Sequence, residues 1–143
     1  MMPGTDFQAC LETPYFFNAS FTTDSIAGDL AQAQELLKSA AEKSKASPAG
    51  GVACDPADIS LLSYRAMYIA AKALVHHAGY QCSNFRCLIS ALNALFVNSK
   101  RLDQQLVDQL LAAQALVGEA LDHFKAAETF VAKAAALTGS PSR

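Results

Sequence analysis

Between Ala57 and Ala78 the chain is apolar around most of a helix's circumference. Ile59, Leu62, Ala66, Ile69 and Ala73 form one stripe at helical spacing, and Tyr64, Met67, Ala71 and Leu74 widen it. A helix of this kind must be covered on several sides, either by other helices of the same chain or by a partner. Asp55 is placed to cap it, Pro56 fits its first turn, and Gly79 suits the left-handed residue that ends it.

The covering elements follow from the same period. Thr22 or Thr23 caps a helix over Asp24–Lys43, with Asp24 in its first turn and Ile26, Leu30, Ala33, Leu37 and Ala40 on one stripe. Ser83 is the expected cap of a third helix carrying Phe85, Leu88, Ile89, Leu92, Leu95 and Phe96, closed by Asn98 and Ser99. From Arg101 to Leu137 there is no proline, and a single stripe runs through Leu102, Leu106, Leu110, Ala113, Val117, Leu121, Phe124, Ala127, Val131 and Ala134. One unbroken helix of that extent would measure about 55 Å, more than the width of a small domain. A bend at Gly118, or a partner over the protruding half, is therefore expected.

The fold class predicted is all-α, an antiparallel bundle of four or five helices, with no strand expected. Residues 1–22 form an arm rich in aromatic rings (Phe7, Tyr15, Phe16, Phe17, Phe21), residues 23–138 the single bundle domain, and residues 139–143 a disordered tail. Ser44 to Pro56 reads as a loop. Tyr64, Met67, Leu88, Ile89 and Leu92 are expected in the core or in a dimer seam, because they fall on two facing apolar stripes.

At 143 residues, 52% hydrophobic and 17% charged, the chain can bury a core without staples or a metal, and it is not an intrinsically disordered one. A net charge of −2 supplies no overall positive field for a nucleic-acid backbone, so such binding needs a local patch. Residues 1–8 lack the basic and apolar regions of a secretory signal, and the most apolar run, Met67 to Val75, is interrupted by Lys72, so no membrane span is expected. Cys10, Cys54, Cys82 and Cys87 stand at irregular spacings without a CxxC. They read as reduced thiols of a cytoplasmic protein, with neither a zinc site nor a thioredoxin-type motif.

Arg65, Lys72 and His76 recur at i, i+7 and i+11, within a narrow angular band of the second helix. With Arg86 after the turn they make a candidate phosphate-binding surface, the alternative being a solvated helix face. His76 and His77 are adjacent and diverge by about 100° on a helix, so they do not chelate one metal; no metal or other cofactor is expected. Tyr64 and Tyr68 at i, i+4 stack a base or fill a core or seam. His123, between Asp122 and Phe124, reads as an exposed or partly buried structural histidine, and Cys82 and Cys87 as buried structural thiols.

The run Ser63-Tyr64-Arg65-Ala66-Met67-Tyr68-Ile69-Ala70-Ala71-Lys72-Ala73-Leu74, then Gly79-Tyr80 and Phe85-Arg86-Cys87-Leu88-Ile89-Ser90-Ala91-Leu92, resembles the HEPN superfamily. The resemblance implies a bundle of four or five helices that commonly dimerises. It implies a metal-independent RNase of the toxin–antitoxin kind, a partner of a minimal nucleotidyltransferase, or a non-catalytic nucleotide- or RNA-binding module. Active members carry an Arg, a polar residue and then a His; here Ala115 to Phe124 has no Arg upstream of His123. Cleavage of RNA without a metal needs an acid/base pair and a cation for the developing charge. No catalytic residue is therefore assigned. The expected function is a non-catalytic HEPN-like module, homodimeric, binding a nucleotide, RNA or a nucleotidyltransferase, with a purely structural interaction bundle as the alternative and a toxin-type RNase as the third reading.

Overall fold

The computed structural model describes residues 8–13, 16–44 and 56–139. The loop from Ser44 to Pro56 with its cap Asp55, as well as Cys54, Phe7, Tyr15 and the tail from residue 140, fall largely or wholly outside them. A single helical turn at residues 8–11 precedes strand β1 (Phe16–Asn18). Helix α1 (Thr23–Ser44), helix α2 (Pro56–His77), strand β2 (Tyr80–Cys82), helix α3 (Phe85–Leu92), helix α4 (Gln104–Gln114) and helix α5 (Ala120–Thr138) follow in order. The described chain is thus mostly helical, in keeping with the all-α class.

Helix α2 is the hub, packing against α1, α3, α4 and α5. Its contact faces are largely alanine: Ala66, Ala70, Ala71 and Ala73 are wholly buried, and they meet a bundle in which Ala33, Ala40, Ala127, Ala134 and Ala135 are also buried. Small side chains let neighbouring helix axes approach closely. Met67, Leu74, Leu88, Leu92, Phe96 and Phe130 fill the remaining volume. Of the expected core positions, Met67, Leu88 and Leu92 are buried, while Tyr64 and Ile89 pack half-buried on the core.

The helix ends obey the local rules with one change. Thr22 Oγ1 accepts from Ser25 N at 3.0 Å, Pro56 opens α2, and Gly79 takes φ +95° after it. Helix α3 is capped not by Ser83 but by Asn84, whose side chain accepts from Cys87 N at 3.1 Å. The α3 helix then widens into a π turn over Asn93–Val97, closed by Asn98 N bonding to Asn93 O. The carbonyls of this turn are taken up by Ser99 Oγ, which donates to Leu95 O, by Arg101 Nη2, also to Leu95 O, and by Arg101 N, to Phe96 O.

Three expectations are corrected. The first is the absence of strands: β1 and β2 pair antiparallel, Phe16 opposite Cys82 and Asn18 opposite Tyr80. This six-residue ribbon seats Phe16 in the core and is too short to show an alternating pattern. The second is the stripe over Arg101–Leu137: the bend expected at Gly118 is present, but the helix stops after Gln114 and restarts at Ala120, so the stripe does not run through the turn. Leu116 (φ +56°) and Gly118 (φ +99°) turn the chain in left-handed backbone, and α4 and α5 pack on each other as a hairpin. Val117 and Leu121, expected on the buried stripe, are 62% and 56% exposed, because the helical register restarts at Ala120. The third is the set of reduced cysteines, since Cys10 and Cys87 form a disulfide. The two physical arguments for a dimer, an uncovered α2 and an overlong carboxy-terminal helix, are both met within one chain.

The alanine packing of α2 makes a direct test. Ala73→Leu forces three extra heavy atoms into a filled interface and is expected to lower stability by about 1–3 kcal/mol. Urea unfolding followed by circular dichroism measures it; an unchanged midpoint would show that the helices are not in close contact there.

Candidate functional site

The four candidate residues do not form one surface. Lys72 and His76, one turn apart on α2, line the same cavity of about 270 Å³ together with Asp29 and Gln32 of α1 and Tyr68 and Ile69 of α2. Arg86 stands exposed on α3 and lines a different cavity, beside the disulfide. Arg65 is exposed on α2, two turns before Lys72, and lines neither.

His76 gives the first cavity its chemistry. Its side chain is nine-tenths buried, and its ring lies stacked on Phe21, centroids 3.9 Å apart and planes within 11°. Both ring nitrogens are buried without a hydrogen-bond partner among the described residues. Asp29 Oδ2 is 3.7 Å from Nδ1, close enough for charge attraction but too far for a hydrogen bond. Burial pushes the imidazole below its ordinary pKa; the Asp29 carboxylate works against that shift, and the Lys72 ammonium adds to it. At neutral pH the ring is accordingly neutral, with one N–H to donate and one bare nitrogen to accept.

Lys72 Nζ stands 5.6 Å from the centroid of Tyr68, in cation–π range. Tyr68 in turn belongs to an aromatic cluster with Tyr64 and Phe85, centroids 5.9–6.3 Å apart. Burial, with Tyr68 alongside, pushes the Tyr64 phenol above its ordinary pKa, so it stays protonated. The cavity therefore offers one cation, one carboxylate, an amide, and a neutral imidazole already fixed in orientation by Phe21. Ser63 Oγ and Asn93 Oδ1 are further buried polar atoms without partners among the described residues, and neither lines this cavity. A larger space of about 500 Å³ between α4 and α5, lined by Asp103, Gln109, Asp122 and Lys125 among others, holds no such atom.

The sequence singled out Lys72 and His76 through their common helix face. It missed Asp29, Gln32 and Phe21, which border the α1 stripe or precede it. Their approach to His76 depends on which helix α1 packs against, and no local signal encodes that.

His123 is not partly exposed, as the sequence suggested, but 1% exposed, and its two nitrogens are both engaged. Nε2 lies 2.6 Å from Val117 O, so it carries the proton and donates; Nδ1 lies 2.8 Å from Ser60 Oγ and accepts from that hydroxyl. A serine–histidine pair of this kind resembles nucleophilic machinery, but Ser60 is 4% exposed and lies at the core side of α2. The pair fastens the Leu116–Gly118 turn to α2 instead. Among the described residues no group of three His, Cys, Asp or Glu side chains is placed to hold a metal, and no helix is long and apolar enough to cross a membrane.

Compared with known proteins, the chain matches no family model, no curated protein and no solved structure.

Two outcomes are expected from these histidines. His123→Ala strands the Val117 carbonyl, removes the Ser60 bond and opens a cavity, at a cost of about 2–4 kcal/mol in urea unfolding. Gly118→Ala, whose Cβ would stand 3.3 Å from His123 Nε2 in left-handed backbone, should lose about 1 kcal/mol or more; wild-type stability in both variants would remove the latch role. For His76 the folded pKa lies below the ordinary 6.5. The unfolded chain then takes up the proton first, and stability present above that pH falls as pH drops through the folded value. His76→Gln should flatten the stability profile as pH falls below the ordinary 6.5. Superimposable profiles would show that His76 does not set this dependence.

Proposed function

We propose that this chain is a non-catalytic helical binding module of HEPN-like type, and that the cavity between α1 and α2 takes a phosphorylated ligand of the nucleotide class. The observation that carries the reading is the imidazole of His76, buried beside the Lys72 ammonium with neither nitrogen hydrogen-bonded among the described residues. A buried polar group costs free energy unless something completes its hydrogen bonds. A phosphate oxygen on Lys72 would accept from the His76 N–H, and a sugar hydroxyl would donate to its bare nitrogen, with further hydroxyls on Asp29 and Gln32. At about 270 Å³ the space lies just below the range of about 300–1,000 Å³ usual for small-molecule sites. It suits a sugar phosphate with the base outside, rather than an enclosed nucleotide. An RNA or a nucleotidyltransferase bearing such a group is accommodated by the same chemistry.

A second reading, an interaction bundle, is favoured by a different observation. Leu116, Val117 and Leu121 are exposed together at the turn between α4 and α5. Apolar side chains gathered at one corner mark a contact surface, and the homodimer reading rests there. The toxin-type RNase reading has least support, because His123 is engaged on both nitrogens away from solvent. The cytoplasmic reading carries forward with a condition: a disulfide in that compartment is a transient, redox-responsive one.

The test is thermal unfolding with nucleoside 5′-monophosphates, ribose 5-phosphate and inorganic phosphate, each at millimolar concentration. A ligand present at a hundred times its Kd should stabilise the protein by about 2.7 kcal/mol, and Lys72→Gln should abolish the shift while leaving the unliganded midpoint within a degree or two. No shift with any phosphorylated compound would overturn the ligand reading and leave the interaction bundle.

A further inference from the structure

The disulfide ties together residues 77 apart in sequence. Cys10 lies in the helical turn at residues 8–11, and Cys87 in the first turn of α3, two residues past Phe85. The hydrogen bonds described for residues 9–13 all stay within that segment: Glu12 N to Ala9 O, Thr13 N to Cys10 O, and Thr13 Oγ1 to Cys10 O. Between this segment and the bundle the structure shows the sulfur bridge and the apolar packing of Cys10 and Leu11. The two cysteines are buried, 7% and 6% exposed, at the wall of a cavity of about 260 Å³ that they line with Thr13, Asn84, Arg86 and Ser90.

The two sulfurs stand in unlike surroundings. Cys87 is the third residue of α3, within the first turn, where the helix dipole favours an anion although its own N–H is taken by Asn84 Oδ1, and it follows Arg86 directly in sequence, in the cavity that both cysteines line. Cys10 sits among Ala9, Thr13 and the core, with no cation from its own segment beside it. A third sulfur, Cys82, is buried and donates its S–H to Asn84 O at 3.0 Å; burial pushes its thiol above the ordinary pKa, which keeps it out of exchange.

We propose that the Cys10–Cys87 bridge is a thiol-exchange site, at which a small thiolate attacks Cys10 Sγ, expels Cys87 as the thiolate, and so releases residues 8–13 from the head of α3. In exchange the sulfur that makes the more stable thiolate leaves faster. The attacking sulfur forms a new S–S bond to Cys10, and the electron pair of the old bond goes to Cys87 Sγ. With a monothiol the product is a mixed disulfide on Cys10 and a free Cys87. With a dithiol the second thiolate attacks the reductant's own sulfur in that mixed disulfide. The reductant leaves as a cyclic disulfide, oxidised by two electrons, and both protein cysteines are reduced. This inference does not depend on the cavity at His76.

The experiment uses the full chain purified without reductant. Limiting reduced glutathione is added, the reaction is quenched in acid, and the adduct is located by peptide mass mapping. Adduct on Cys10 should exceed that on Cys87 by about tenfold or more. Arg86→Ala, at an exposed position, should slow opening about threefold or more while Arg86→Lys retains the rate. After full reduction by dithiothreitol, amide hydrogen exchange should rise at residues 8–13 and stay as before in α1, α2 and α5. The proposal is overturned by free Cys10 and Cys87 thiols before any reductant is added, by an adduct mainly on Cys87, by an Arg86→Ala rate equal to wild type, or by unaltered exchange at residues 8–13 in the reduced protein.

Discussion

The burial of α2 decides the rest of the architecture. Removing an alanine methyl from water stabilises by only about 0.8 kcal/mol, so a helix whose inner faces are mostly alanine gains little from any one contact. What it gains is proximity: with Ala66, Ala70, Ala71 and Ala73 wholly buried, four helices can crowd round one axis and place Met67, Leu74, Phe96 and Phe130 in the gaps. Such a hub tolerates loss at its rim better than growth at its centre. It also explains why the cavity with His76 lies at the last turn of α2. There the alanines give way to Lys72 and His76, and the polar rim of α1 comes into reach.

A second constraint acts on the carboxy-terminal third. An uninterrupted helix could not return to the hub, so the chain has to spend two left-handed residues to turn back. Leucine at φ +56° is unfavourable in isolation. The imidazole of His123, held by Ser60 of α2, donates to the carbonyl between those two residues and makes the turn part of the core's hydrogen-bond accounting. A histidine that in sequence invites a catalytic reading is thereby committed to architecture.

How far the sequence could be read follows from the reach of each signal. The stripes of α1 and α2, the Thr22 cap, Pro56 and Gly79 were legible because each rests on neighbours within a turn or two. Val117 and Leu121 deceived because they keep perfect helical spacing through a segment that is not helical; the departure at Leu116 depends on His123 and Ser60, the latter more than fifty positions away. The ribbon was invisible because three residues cannot display a two-residue period convincingly. The pairing of Cys10 with Cys87 leaves no trace in spacing. The candidate site was half legible: Lys72 and His76 share a face by arithmetic, whereas Asp29, Gln32 and Phe21 join them through packing, and Arg65 and Arg86 fall away for the same reason.

The π turn at Asn93–Val97 has its own consequence for how this chain tolerates change in length. An i→i+5 closure holds one residue more than an α-helical path between the same ends would need. The surplus is absorbed locally: Ser99 and Arg101 take the displaced carbonyls, the Arg101 guanidinium lies 4.7 Å from the Phe96 ring centroid, and Phe96 is delivered into the core. Deleting a single residue here would regularise the helix yet rotate everything beyond it by about 100°, carrying Phe96 out of its socket and Arg101 off the carbonyls it serves. The most irregular helical backbone in the described chain is thus the place where insertion and deletion are least interchangeable, and where the register of α4 against the hub is fixed.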